Sequence, residues 1–113
     1  MNMKNEKTLR EICSEVGVSR RAVQGYEKAE LVSASGKNKY GHLLYNKEAE
    51  KRIAEIKLYQ DMGFKIKEIK VLINASDTER KIALQKRVLS MKEEQQKKER
   101  LIQRAHEMIA ALE

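Results

Sequence analysis

The chain has 113 residues, of which 41% are hydrophobic, 36% charged and 4% aromatic, with neither Pro nor Trp. That length allows one small domain plus an appendage, and a charge of +7 points to nucleic acid or another acidic surface as partner. A single cysteine, Cys13, excludes an internal disulfide, and no stretch is apolar enough for a secretion signal (the start reads MNMKNEK) or a membrane span, so a cytoplasmic protein is expected.

In chain order, Thr8-Leu9-Arg10-Glu11 fits a capping box, with Thr8 as N-cap and Glu11 reaching back. Leu9, Ile12, Cys13 and Val16 then share one face of a short helix, which Gly17 ends. Cys13 on that face is expected to be a buried structural thiol. Ser19 caps a second helix over about residues 20–29, with Ala22, Val23 and Tyr26 pointing inward. Two short helices around a glycine-bearing turn form a helix-turn-helix pattern. Residues 32–45, VSASGKNKYGHLLY, read as a loop or a small β-hairpin.

Asn46 caps a third helix, with Ala49, Ile53, Ile56 and either Tyr59 or Gln60 on one side, and Gly63 stops it. A fourth short helix carries Ile66, Ile69, Leu72 and Ile73. Ser76-Asp77-Thr78-Glu79 is a second capping box, and no Gly or Pro follows it, so one long helix is expected to the last residue. Its best heptad register places Val88, Gln95, Ile102 and Ile109 at a, and Leu84, Met91, Lys98, Ala105 and Leu112 at d. Leu101 and Met108 widen that strip. The centre, Lys92 to Arg100, is wholly polar.

The fold class is therefore mainly α: a winged helix-turn-helix domain over residues 1–74 with a small β-hairpin wing, then a long C-terminal dimerisation helix over 75–113. Dimerisation is assigned to Leu84, Val88, Met91, Leu101, Ile102, Ala105, Ile109 and Leu112. Apolar residues cluster at both ends of that helix. An antiparallel pair lays good end on good end, whereas a parallel pair would oppose Lys98 to Lys98 at the seam.

Arg20 and Arg21 open the second helix. Cations are unfavourable at the positive end of a helix dipole unless an anion arrives there. A solvated helix start is the bland reading. In helix-turn-helix proteins, the N-terminal residues of this helix meet base edges or phosphates in the major groove, and the arginine fork suits both.

The order of these parts resembles the MerR family of bacterial transcription regulators. The resemblance rests on Gly17, Val18, Ser19, Arg21, Val23, Tyr26, Glu27 and Leu31, then Gly41 and Tyr45, then Gly63, Phe64, Glu68 and Ile69, and runs from about Thr8 to Ile73. It implies a winged head, a second helical pair beside it, and a homodimer held by an antiparallel coiled coil on pseudo-palindromic promoter DNA, with RNA polymerase as a further partner. Under it Arg21 and Tyr26 touch DNA, Tyr45 supports the wing and Arg20 reads a variable base. With these, Ser19, Gln24, Lys28, Lys37, Lys39, Tyr40 and His42 complete the set expected at double-stranded DNA. Gln24, Gly25, His42 and Leu43 depart from the family pattern, which has Arg-Tyr and Tyr-Arg there. Gly25 could allow a close backbone approach or mark an irregular helix end.

Cys13, His42 and His106 form no ligand set, so neither metal nor cofactor is expected. No nucleophile set or paired-carboxylate pocket appears, so the chain is not expected to be an enzyme. No separate effector-binding domain is expected in a chain of this length. The competing readings are an architectural or excisionase-like DNA-associating protein whose coil recruits a partner, and an interaction module that has lost DNA binding.

Overall fold

A computed structural model describes residues 6–113, so the first five residues of the MNMKNEK segment, discussed above for secretion, lie outside the described residues. The element order is β1 (Lys7–Thr8), α1 (Leu9–Val16), α2 (Arg20–Lys28), β2 (Gly36–Lys37), β3 (Leu43–Tyr45), α3 (Lys47–Asp61), α4 (Ile66–Ile73) and α5 (Asp77–Leu112). The chain divides into two compact units, one ending at Ile73 and one running Asn74–Glu113.

Local chemistry sets most boundaries of the first unit. Thr8 caps α1: its Oγ1 accepts from the Glu11 N–H, and the Thr8 N–H donates to Glu11 Oε1 at 2.9 Å. Gly17 closes α1 at φ 76°, a left-handed conformation that costs an L side chain about 1 kcal/mol or more. Ser19 Oγ accepts from the Ala22 N–H at 3.0 Å and starts α2. Asn46 Oδ1 does the same for α3 through Ala49.

The wing is a real hairpin. β2 pairs antiparallel with β3, with Gly36 opposite Leu44 and Lys37 opposite Leu43. Asn38 Oδ1 accepts from the N–H groups of Tyr40 and His42, and Gly41 takes φ 83°, so side-chain and glycine chemistry together turn the tip. β1 carries no signal in the sequence. Lys7 and Thr8 pair with Tyr45 and Leu44, making a three-stranded sheet in the order β1-β3-β2. A two-residue strand is too short to show a period of two.

The core of this unit gathers Ile12, Val23, Tyr26, Tyr45, Ile53, Ile56 and Ile69, with Val18, Leu31, Leu44, Ala49, Tyr59 and Leu72 around them. Tyr59, rather than Gln60, is the inward residue at the end of α3, and its ring meets Phe64 edge-on at 5.9 Å. Cys13 departs from expectation: it is only half-buried, because Ile12 holds the centre of the α1 face.

In the second unit, Ser76 and Glu79 form the expected capping box, and α5 continues for 36 residues. None of its residues is buried. Val88, Leu101, Ile102, Ile109 and Leu112 are exposed, Ala105 with them, while Leu84 and Met91 are half-buried. Among the described residues no helix is long and apolar enough to cross a membrane.

Candidate nucleic-acid interface

Helix α2 is held from behind by two tyrosines. Tyr26 lies 1% exposed, and its hydroxyl donates to Gln60 Oε1 on α3. Tyr45, fully buried on β3, donates to Glu27 Oε2 at 2.8 Å. Burial raises the pKa of Tyr45, with the Glu27 carboxylate adding to it; burial and then Asp61 raise that of Tyr26. One bond thus ties α2 to α3 and the other ties it to the wing strand. Both tyrosines belong to the set expected at double-stranded DNA, Tyr26 as a contact and Tyr45 as a support of the wing, and both are buried. Their rings fill the core, so they offer no free surface to a phosphate and instead set the pose of α2.

With Val23 and Tyr26 inward, the opposite face of α2 carries Arg21, Gln24, Gly25 and Lys28, all exposed. These fall at i, i+3, i+4 and i+7, one stripe of a helix with 3.6 residues per turn. Arg20 is exposed at the helix start, and the Ser19 hydroxyl is occupied as the cap. Gly25 sits in regular helix: its carbonyl accepts from the Ala29 N–H at 3.0 Å, so it marks no irregular end.

The wing tip presents Lys37, Lys39, Tyr40, Gly41 and His42 to solvent, with Tyr40 72% exposed. Lys39 Nζ lies 5.2 Å from the centroid of the Tyr40 ring, and the Tyr40 and His42 rings tilt together at 6.4 Å. A cleft of about 570 Å³ brings α1, α2 and the wing together, lined by Thr8, Leu9, Arg10, Arg20, Gly41, His42 and Leu43. It puts the start of α2 and the wing tip on one side of the unit. Arg10 is a cation that sequence reasoning missed at this cleft. Its only signal was its place in the first turn of α1.

Charge pairing separates two populations of cations. Lys7 bridges Glu15 at 2.8 Å and Glu50 at 2.9 Å, and these two bonds, Glu15 first, raise its pKa. Arg52 pairs with Glu55 and Lys57 with Asp61. Among the described residues Arg10, Arg20, Arg21, Lys28, Lys37 and Lys39 form no ion pair within 4.0 Å. The surface made by α2, the cleft and the wing is therefore unneutralised. No three His, Cys, Asp or Glu side chains among the described residues gather into a metal-binding group.

Glu30 is a second residue whose state the sequence concealed. It follows α2 at φ 62°, the one non-glycine residue with positive φ among those described. The turn lets the Leu31 N–H reach back to the Tyr26 carbonyl at 3.0 Å and drops Leu31 into the core.

Comparison with known proteins gives a consistent result. The family model for MerR HTH family regulatory proteins matches residues 7–76. The HTH-type transcriptional activator mta of Bacillus subtilis (strain 168) is 30% identical over 87 residues, which cover 77% of this chain and 34% of that protein. The chain thus spans about a third of the length of that curated relative. The crystal structure of the N-terminus of the Bacillus subtilis multidrug transporter activator, MtaN, superposes with a TM-score of 0.70 at 25% identity, covering 91% of this chain and 97% of the other. HiNmlR, a MerR family regulator lacking the sensor domain and bound to promoter DNA, shares the fold at a TM-score of 0.70 and 17% identity, over 86% of this chain and 78% of that one.

Proposed function

The chain belongs to the MerR family of HTH regulatory proteins, and from that premise we propose that it is a homodimeric, sequence-specific regulator that binds a pseudo-palindromic promoter site. The single observation behind this reading is the unneutralised surface: Arg20, Arg21 and Lys28 on α2, with Lys37 and Lys39 on the wing beside it. In docking, α2 enters the major groove and Arg21 and Lys28 take phosphates, while Arg20 reaches base edges at the helix start. The wing follows the sugar-phosphate backbone, with Lys37, Lys39, Tyr40 and His42 against it. Each phosphate neutralised releases counterions, so affinity falls steeply with salt. The protein works in the cytoplasm, residues 1–74 bind DNA, and RNA polymerase is its partner at the promoter.

The second half of the site comes from a second copy. Residues 75–113 form the dimer contact through an antiparallel pair of α5 helices. The heptad register then sets Leu84 against Ile109 of the partner subunit, Val88 against the partner subunit's Ala105 and Met91 against the partner subunit's Ile102. Lys98 meets the partner subunit's Gln95, which avoids the like-charge contact of a parallel pair. Antiparallel helices carry the two heads apart, so two α2 helices reach successive major grooves on one DNA face.

Selection of bound DNA from a random pool tests the proposal. The expected product contains two inverted half-sites at a fixed spacing. A single unpaired half-site, or enrichment without sequence, as an architectural DNA-associating protein gives, would overturn it.

A further inference from the structure

Gly25 has no internal reason to be glycine. It lies in the interior of α2, where glycine is less favourable than alanine. Its backbone is not among those with positive φ. A Cβ built on it would meet nothing within 4 Å. Gly17, Gly36 and Gly41 also have open space, but left-handed backbones explain Gly17 and Gly41, and Gly36 lies in the short wing strand rather than in a helix interior. Neither conformation nor packing inside the chain asks for a missing side chain at position 25.

Its surroundings point outward. The exposed stripe of α2 runs Arg21, Gln24, Gly25, Lys28. Arg21 and Lys28 lie two turns apart, about 10 Å along the axis at 1.5 Å per residue. Between them Gly25 leaves a notch whose floor is bare helix backbone. A surface with a cation at each end and, beside Gln24, bare backbone at position 25 suits a partner that is anionic at its edges and comes close at its centre. Glycine serves where a backbone and a ligand must approach closely.

We infer that the α2 backbone at Gly25 packs directly against DNA, the notch admitting a nucleotide group between the phosphates held by Arg21 and Lys28. This inference rests on the DNA-binding reading proposed above. It makes Gly25 a positioning residue: it sets how deeply α2 seats in the groove. The place it occupies is one of the departures from the family pattern, so the depth belongs to this chain's own surface.

The test uses the full chain, the site it selects from a random DNA pool, and the variants Gly25→Ala and Gly25→Leu. Both introduced residues favour helix, so Tm should rise by about 4–8 °C in each. Affinity for the selected site should fall about tenfold or more for alanine and further for leucine, following size rather than helix propensity. A fall at every sequence would mark a sugar-phosphate neighbour, and a fall confined to one base position a base edge. Variants that bind as tightly as the parent would overturn the inference while leaving the DNA reading intact. A lowered Tm would overturn it too, by revealing an internal need for glycine. A parent chain that selects no DNA would remove the DNA reading and this inference with it.

Discussion

Arg21 stands at the start of α2 with no acidic neighbour to hold it, and the helix dipole there opposes its charge. In the proposed docking it takes one phosphate. Arg21→Ala should therefore weaken binding to all DNA sequences and flatten the slope of log affinity against log salt by about one; an unchanged slope in a folded variant would exclude this docking. Glu30 poses the opposite problem, an L residue at φ 62°. The conformation costs about 1–2 kcal/mol, and a glycine there would return part of that to a more flexible unfolded chain. Glu30→Gly should raise stability by up to about 1 kcal/mol in urea unfolding. Tyr26 and Tyr45 ionise with difficulty, first because they are buried. Their folded pKa values lie above the usual 10, so the unfolded state loses its protons first as pH rises. The stability they contribute is full below pH 10 and is lost above it. In an alkaline titration their phenolate absorbance should appear together with loss of helical circular dichroism, not before it.

Two elements depend on the same device at their first turn. The Glu11 and Glu79 carboxylates close capping boxes, and the backbone N–H of Thr8 or Ser76, then its hydroxyl, lowers their pKa. Their contribution is present above the usual 4.5 and falls away as pH drops through the lowered values. Removing the cap itself is the cleaner measurement. Thr8→Ala should cost about 1 kcal/mol, and its stability should depend less on pH below 4.5 than the parent's. A cap loss without effect would mean that β1, through the pairing of Thr8 with Leu44, holds the start of α1 by itself.

At the scale of the whole molecule, the question is what supports α5. It buries none of its 36 residues within the chain, yet Leu101, Ile102, Met108 and Ile109 stand exposed along it. Helices gain most of their stability from packing an apolar face, and an exposed strip of this length is the mark of an association surface. Dimerisation should make the Tm rise with protein concentration. Sedimentation equilibrium should give a dimer for the full chain and a monomer for a chain ending at Asn74. Orientation has its own readout. In a Cys13→Ser background, a mixture of Leu84→Cys and Ile109→Cys chains should oxidise to a mixed disulfide, and Leu84→Cys alone should not. A disulfide between two Leu84→Cys chains would instead mean parallel helices.

The sequence by itself determined the features whose causes lie within a few residues. The capping boxes at Thr8 and Ser76, the stop at Gly17 and the start at Asn46 are local hydrogen-bond or backbone rules, and the helices begin and end where those rules require. The family pattern, spread over Gly17 to Ile69, was equally legible. Only the tertiary structure decided what depends on residues distant in the chain. β1 exists because Lys7 and Thr8 find Tyr45 and Leu44, some 37 residues away, and the strand has no pattern of its own. Tyr26 reads as inward and Tyr45 as a support of the wing, but that Gln60 and Glu27 accept their hydroxyl protons is visible only in the fold. The Arg10–Arg20–His42 cleft forms from three elements, none of which shows it alone. The local rules act through backbone geometry and are written in adjacent residues. Burial and charge pairing are properties of whichever side chains the fold brings together.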